Sequence, residues 1–248
     1  MAGFHGRAPE QLDLQLVPYP AVTVFIEFGD GMLVDATGAH RNGGGVVGLT
    51  PGVMTAVGRD VDCLQIRLSP VLAHAVFGES DATAAISLDA VWGHDAQRLC
   101  DRLYSAPSWD QRFAIAAAEL ARQQASGPAV DPEVAAAWRW MVRSHGQVRM
   151  DRIADEVGWS RKRLWSRFGA QIGLPPKRAA QLIRFDHAAH RLATGDTAAQ
   201  VAHICGYADQ SHLHREARSF AGLTPTDITN APWLDVDHLA WRYPAAAS

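Results

Sequence analysis

The chain has 248 residues, 48% of them hydrophobic, which is enough for one large domain or two smaller ones with separate cores. Its formal net charge is −3, no apolar run reaches the roughly 20 residues of a membrane span, and the N-terminus lacks an apolar export segment. This composition argues against disordered, fibrous and membrane proteins, and we expect a cytoplasmic location.

Short alternating runs of β-branched and aromatic residues predict strands in the first 70 residues. The predicted strands are VTVFIEF (22–28), GMLVDA (31–36), VMTAV (53–57) and DCLQIRLS (62–69). Asp30-Gly31 predicts a hairpin between the first two, and Gly58 predicts a turn between the last two. The segment 41–52 is expected to be a loop with a short strand. Apolar and polar residues alternate in the last run, so one of its faces should be buried.

Helices are predicted after the strands. Ser69 is a favourable N-cap followed by Pro70 in the first turn, and Ser108 is a second favourable N-cap. The expected helices cover residues 71–78, 92–104 and 109–124. Together with the strands they predict an α+β N-terminal domain, a small antiparallel sheet plus helices.

A domain boundary is predicted within ASGPAVDPE (125–133), which is small, polar and contains glycine and proline. It divides the chain into domains 1–128 and 129–248. Residues 1–130 hold 8 Lys/Arg against 14 Asp/Glu, whereas residues 138–230 hold 14 against 8. An acidic part joined to a basic part is typical of a sensing domain attached to a DNA-binding domain. Two solvated surfaces of different charge would give the same counts.

Two similar segments begin 48 residues apart in the C-terminal part, IADEVGWSRKRLWSRFGAQIGLPP (153–176) and VAHICGYADQSHLHREARSFAGLTP (201–225). Each has a small residue in a first helix, Ala154 or Ala202, where a second helix can cross closely. The glycine four residues later accepts the backbone conformation that stops the first helix. Each segment then ends in Gly-Leu-x-Pro.

The second helix of each segment has its own start signal and its own apolar stripe. Ser160 and Asp209 are suitable N-caps, and Leu164 and Phe168 lie on one face, leaving their polar neighbours outward. The repeat therefore predicts an all-α domain of two helix-turn-helix units, at about residues 150–169 and 198–220, with exposed recognition helices. The alternative is a helical bundle with two hairpins and no role in DNA binding.

A long helix over 176–194 should join the two units. Its apolar residues recur at helical spacing and include Leu182, Phe185, Ala189 and Leu192. It could hold two recognition helices about 34 Å apart, as successive major grooves on one face of DNA require.

These residues resemble the AraC/XylS family of transcription regulators over roughly residues 135–230. The most specific string is GYADQSHLHREARSFAGLTP, and RLWSRFGAQIGLPP and Arg184-Phe185-x-x-Ala188 also fit. Ala217 departs from the phenylalanine usual in the family, and we expect Phe220 to compensate. The resemblance implies sequence-specific binding to double-stranded DNA near bacterial promoters, often as an activator that contacts RNA polymerase. The N-terminal part resembles, less specifically, the sheet-plus-helices domain of many members.

The outward residues of the two recognition helices are the candidate base contacts. Arg and Lys can bond guanine, Gln can pair with adenine, and Trp can pack on a thymine methyl group. These candidates are Arg161, Lys162, Trp165, Ser166, Gln210, Ser211, His212, His214 and Arg215. The expected phosphate contacts are Arg149, Arg163, Lys177 and Arg178. We expect structural roles for Arg167 and Arg184, the latter beside a carboxylate.

No catalytic, cofactor or metal-binding pattern is recognisable in the sequence. The Gly43-Gly44-Gly45 run lacks the Lys-Ser/Thr of a phosphate loop. The early histidines lack metal-ligand spacing; they are His5, His40, His74 and His94. We therefore predict a protein that is not an enzyme and that holds no cofactor or metal.

Three hypotheses stay open for the N-terminal domain. It could bind a small-molecule or protein effector, or only form a homodimer or contact polymerase. It could also be an enzyme fused to a DNA-binding module, as in alkyl-transfer repair regulators, but Cys63 and Cys100 lack the zinc-like cluster this needs. A redox role for Cys63 is a further alternative, although its strand position predicts a packed side chain. The distant spacing of the cysteines, with no CxxC motif, fits a reducing cytoplasm, where a DNA-bound protein would be associated with the nucleoid.

Overall fold

The computed structural model describes residues 1–30, 32–35, 40–41, 44–50, 54–79 and 85–230. Its strands are β1 (Ala2–Leu16), β2 (Val22–Glu27), β3 (Met32–Asp35), β4 (His40–Arg41), β5 (Gly44–Val47), β6 (Met54–Leu68) and β7 (Ala85–Ser87). Its first helices are α1 (Pro70–Phe77), α2 (Leu88–Trp92), α3 (His94–Tyr104) and α4 (Trp109–Ser126). The remaining helices are α5 (Pro132–Arg143), α6 (Met150–Glu156), α7 (Arg161–Ile172), α8 (Pro176–Ala193), α9 (Ala198–Ile204), α10 (Gln210–Ala221) and α11 (Pro225–Thr229).

The strands form one antiparallel sheet organised around the long strand β6. The order β4-β3-β6-β2-β5-β7 runs along one path, and β1 pairs with the other edge of β6. Leu64, Ile66 and Leu68 of β6 are all buried, so the predicted apolar face is confirmed. The fold class is thus the predicted one, an α+β part with a small antiparallel sheet followed by helices.

The predicted hairpin at Asp30-Gly31 is wrong. The two strands beside it, β2 and β3, both pair with β6, at residues 63–68 and 54–57, and not with each other. Between them the Asp30 carboxylate accepts the backbone N–H groups of Arg59 and Asp60, at 2.9 and 2.7 Å. The chain therefore continues along β6 instead of reversing. Gly31 itself lies outside the described residues.

The predicted turn at Gly58 is also wrong, because β6 runs unbroken from Met54 to Leu68. The irregularity is on the neighbouring strand instead, where the pairing of β1 shifts register between Arg7 and Leu12. Strands β1 and β7 have no counterpart among the predicted elements. Such edge strands gain their stability from pairing, which local sequence patterns do not record.

The N-terminal helices start at the predicted caps. The Ser69 hydroxyl accepts the Leu72 N–H at 3.2 Å, and the Ser108 hydroxyl accepts the Gln111 N–H at 3.3 Å. The helix predicted over 92–104 corresponds to α3, which begins after Gly93, whose φ is +56°, whereas α2 was not predicted. Helix α3 packs on α4, and α4 packs on α1.

The C-terminal helices surround α8, which contacts α5, α7, α9, α10 and α11. Ten of its 18 residues are buried, and all four predicted core positions are among them. This burial on most sides makes α8 the central element of the helical part, as expected for a helix joining two units. None of the described helices combines the length and apolar character that a membrane crossing requires.

Candidate DNA-binding site

The first predicted unit consists of α6, a tight turn and α7. Gly158, with φ at +67°, ends α6, and the Trp159 N–H donates back to the Ala154 carbonyl at 3.0 Å. The Ser160 hydroxyl accepts the Arg163 N–H at 3.3 Å and so starts α7. Every turn feature predicted from the sequence is present in this unit.

The second unit, α9 and α10, repeats this geometry. Gly206 has φ at +71°, and the Tyr207 N–H donates to the Ala202 carbonyl at 2.9 Å. The Asp209 carboxylate accepts the His212 N–H at 2.7 Å and caps α10. Two segments with the same sequence pattern therefore form the same helix-turn-helix, although the second turn is one residue longer, with Ala208 between Tyr207 and the N-cap Asp209.

The apolar faces of both recognition helices, α7 and α10, are buried. Leu164 and Phe168 of α7 are fully buried, as is Ala217 of α10. Beside this alanine, Phe220 stacks on Phe185 of α8 with ring centroids 5.3 Å apart. The aromatic packing expected to compensate for Ala217 is therefore supplied by Phe220, one turn further along the helix.

The opposite faces carry the candidate base contacts. Six of these are exposed: Arg161, Lys162, Ser166, Gln210, Ser211 and Arg215. His212 and His214 are half-buried, and the His212 ring meets the Tyr207 ring edge to face at 5.2 Å. Trp165 is also half-buried and packs partly against the core, so its expected outward orientation is only partly correct. Most of both polar faces is therefore free to meet a ligand.

Arg161, at the start of α7, has a neighbour that the sequence did not suggest. Its guanidinium pairs with the carboxylate of Asp151 in α6, which also lies 3.7 Å from the guanidinium of Arg149. An acidic side chain thus lies among cationic candidates on the surface of the first unit.

Three of the four candidate phosphate contacts, Arg149, Arg163 and Lys177, are exposed, and Arg178 is half-buried. Arg163 lies over the Trp159 ring at 4.3 Å, and Arg178 lies over the Phe220 ring at 3.7 Å. Arg178 also donates to the Ser219 hydroxyl at 3.1 Å. These two contacts hold the Arg178 side chain in place, and burial lowers its pKa.

A buried ion pair fixes α10 to α8. The Arg184 guanidinium donates two hydrogen bonds to the Glu216 carboxylate, at 3.1 and 2.5 Å, and the Tyr207 hydroxyl donates a third at 2.8 Å. Burial lowers the pKa of Arg184, but its hydrogen bonds and attraction to Glu216 outweigh this and raise it overall. Arg184 therefore has the carboxylate partner expected for it. Glu216 was missed, although an acid three residues after Leu213 on a buried helical face signals such a partner.

The matching position of α7 also holds an ion pair, but here the recognition helix supplies the arginine and not the carboxylate. Arg167 aligns with Glu216 in the repeat and donates to the Asp131 carboxylate at 2.6 and 3.0 Å. Asp131 is the N-cap residue of α5, and its own N–H donates to the Gln171 side chain at 3.0 Å. Each recognition helix is therefore fastened to an earlier helix by a two-point arginine–carboxylate contact.

The sheet-containing part of the chain touches both recognition helices. Helix α1 packs on α7 and on α5. Gln15 in β1 donates from its side-chain amide to the carbonyl of Ala221, the last residue of α10, at 2.7 Å. Contacts therefore cross the predicted domain boundary at two separate places.

Two observations on the described residues concern the alternatives of a metal site and a redox-active cysteine. None of their His, Cys, Asp and Glu side chains form a group of three able to hold a metal ion. Cys63 is buried, and burial, together with the nearby charges of Glu27 and Asp62, raises the pKa of its thiol to about 12. A redox-reactive cysteine needs a lowered pKa and access to solvent, so Cys63 has the packed position predicted from its strand.

Comparison with known proteins agrees with this geometry. Residues 153–231 match the family model described as a helix-turn-helix domain. ToxT from Vibrio cholerae has a similar fold, with a TM-score of 0.53 and 12% identity over 90% of this chain and 98% of that chain. A ToxT structure bound to (E)-4-(8-methylnaphthalen-1-yl)but-3-enoic acid gives a TM-score of 0.52 and 12% identity, over 92% and 97% of the two chains.

A transcriptional regulator from Chromobacterium violaceum, described among proteins that contain an AraC-type DNA-binding domain, is 25% identical, with a TM-score of 0.38, over 40% of this chain and 90% of that chain. No curated protein matches the sequence. The matched residues begin inside α6 and cover α7 to α11, which carry all of the candidate contacts except Arg149.

Proposed function

Because residues 153–231 are a helix-turn-helix domain of the AraC type, in a family of DNA-binding transcription regulators, we propose that this chain reads a specific DNA sequence with both of its units. The observation that carries this proposal is the duplicated geometry. Two recognition helices with the same caps expose their polar faces and are fastened to a single central helix.

The residue roles follow from position on the recognition helices. Side chains in the first turns of such helices reach base edges, which here assigns base contacts to Arg161 and Lys162 in the first unit. The remaining base contacts are Trp165, Ser166, Gln210, Ser211, His212, His214 and Arg215. Arg149, Arg163, Lys177 and Arg178 contact phosphates, which gives affinity without sequence information.

The contacts of α1 and Gln15 with the recognition helices support control by the N-terminal domain, residues 1–128. A small molecule or protein bound there changes DNA affinity by shifting these contacts, which requires different affinities for two arrangements. The protein acts as an activator at bacterial promoters, as a homodimer that contacts RNA polymerase. Because it binds chromosomal DNA, it acts in the cytoplasm at the nucleoid.

Selection of duplexes from a random pool by the full-length chain tests the DNA proposal. Fluorescence anisotropy of the selected duplex and of a scrambled one is then measured across a salt series. We expect a preference of about 10³-fold or more for the selected duplex, with affinity for both falling steeply with salt. Equal affinity for both at every salt concentration would contradict sequence-specific binding.

Control by an effector is tested separately with the same anisotropy measurement. A panel of small organic acids, sugars and aromatic compounds is added to the full chain on its selected duplex. A compound that alters the affinity of the full chain, but not that of a chain carrying Gln15→Ala, supports transmission through β1. Affinity that responds to no compound favours an N-terminal domain that only forms dimers or contacts polymerase.

A further inference from the structure

Asp151 is an unusual residue in a surface that meets DNA. It lies in the first turn of α6, with its side chain 42% exposed, beside two guanidinium groups that are themselves 65% and 81% exposed. A carboxylate there repels DNA phosphates, so it lowers affinity for any sequence.

The ion pair of Asp151 with Arg161 is not needed to form a helix-turn-helix. In the second unit the repeat places Ala199 at the position of Asp151 and Gln210 at the position of Arg161. The second unit forms the same turn without any such pair. Ion pairs between exposed side chains also contribute little to stability. The charge of Asp151 in the first turn of α6 favours that helix, but the fold does not require its pairing with Arg161.

Arg161 is the first residue of α7, where a recognition helix presents side chains to base edges. A free arginine on this turn can swing to the nearest phosphate, which it binds without regard to sequence. A carboxylate partner limits the orientations of the guanidinium and cancels part of its charge. Asp151 therefore weakens the contacts of Arg161 with phosphates, which need a mobile guanidinium. It weakens a contact with a base less, because that contact uses one fixed orientation.

We propose that Asp151 is a specificity-determining residue, which positions Arg161 for a base contact and reduces binding to unspecific DNA. The inference rests on the proposed function, because it assumes that α7 enters the major groove. Asp151 acts through Arg161 and touches no base itself.

The test is Asp151→Asn in the full-length chain, which removes the charge and keeps the side-chain shape. We expect several-fold tighter binding to a scrambled duplex. Its salt slope should steepen by roughly one, since the released guanidinium can pair with one more phosphate. The ratio of specific to unspecific affinity should fall by roughly threefold or more. An unchanged ratio would overturn the proposal.

Two controls separate positioning from a general effect of charge. Asp155 lies one turn later on α6, is exposed, and takes part in none of the ion pairs found among the described residues. Asp155→Asn should therefore leave the ratio of specific to unspecific affinity unchanged. In a chain that already carries Arg161→Ala, Asp151→Asn should no longer alter the ratio. An equal loss with Asp155→Asn, or a loss that persists without Arg161, would overturn the proposal. Failure of the unmodified chain to prefer any duplex would instead contradict the proposed function.

Discussion

The ion pair of Arg184 with Glu216 shows how strongly a single contact can hold a recognition helix. The side chains are only 16% and 4% exposed, and the carboxylate accepts hydrogen bonds from both Arg184 and Tyr207. The ion pair and its hydrogen bonds together offset the free-energy cost of burying both charges. They do so only while all three side chains are in place. Loss of one partner would leave a buried charge without compensation.

Arg184→Met should therefore lower the free energy of unfolding by about 3–5 kcal/mol. Urea denaturation followed by circular dichroism measures this change. The double variant Arg184→Met with Glu216→Leu should recover much of the loss, because no charge remains buried. A single variant as stable as the unmodified chain would show that the pair is not formed.

Substitution of the exposed candidate contacts on the recognition helices should change the affinity for DNA and not the stability of the fold. Lys162→Ala and Arg215→Ala should each weaken specific binding by about 1–3 kcal/mol while leaving stability unchanged. Arg102→Ala is the matched control, since this arginine is exposed on α3, in the sheet-containing part of the chain. Anisotropy on the selected duplex measures the effect, and unchanged affinity for both variants would refute the assigned contacts.

At the scale of elements, the helix-turn-helix units were predictable because their signals are local. Caps at Ser160 and Asp209 and stop signals at Gly158 and Gly206 each act within one or two turns of the chain. The sheet was less predictable, because pairing between distant segments overrides local turn signals. The sequence predicts a turn at Gly58. However, β6 stays extended through this residue, because it pairs with β1 and with β2 and β3.

The contact residues show the same limit. The exposed positions followed from helical spacing alone, whereas the ion pairs of Asp131, Asp151 and Glu216 depend on how helices cross. Helical spacing places a residue on a face but does not say which other helix meets it there. Asp151 in particular reads as an ordinary solvated acid until α7 is placed beside it.

Two glycines with similar backbone angles should respond differently to substitution. Gly158 has open space around its missing side chain, so Gly158→Ala should cost only the strain of a left-handed residue, about 1–2 kcal/mol. At Gly146, which follows α5, a Cβ would lie 2.1 Å from the Ala180 carbonyl oxygen of α8. Gly146→Ala should cost about 3 kcal/mol or more, because it also forces α5 away from α8. Thermal unfolding compares them, and equal losses would contradict this packing.

At the scale of the whole molecule, two histidines of α8 link stability to pH. Burial lowers the pKa of His187 and of His190 to about 4, and the stacked ring of His145, 4.1 Å away, adds to the effect at His187. Both are therefore neutral in the folded chain at neutral pH. In the unfolded chain they take up protons near pH 6.5.

Stability should therefore be complete above about pH 6.5 and should fall as the pH drops toward 4, because the unfolded chain binds more protons in that window. The urea midpoint at pH 7.5 and at pH 5 measures this. His187→Gln should reduce the difference between the two midpoints. If the midpoint of the unmodified chain stays constant over this range, the two histidines are not buried as described.

The predicted homodimer is also a property of the whole molecule. Light scattering after size exclusion at tens of micromolar should give twice the chain mass of 26.9 kDa. A mass equal to a single chain at that concentration would exclude a stable dimer.

Helix α8 has a consequence for the DNA rather than for the protein. An unbroken helix of 18 residues spans about 27 Å and neither stretches nor twists appreciably, since its core contacts hold it along its length. We call the DNA segments bound by the two helix-turn-helix units half-sites. A flexible linker between the units would allow half-sites to be moved apart by a whole turn of the double helix, whereas a rigid helix does not. Inserting about 5 or about 10 base pairs between the half-sites should be equally damaging, because both change a distance that α8 fixes. The operators of this protein should therefore show one spacing and no periodic tolerance.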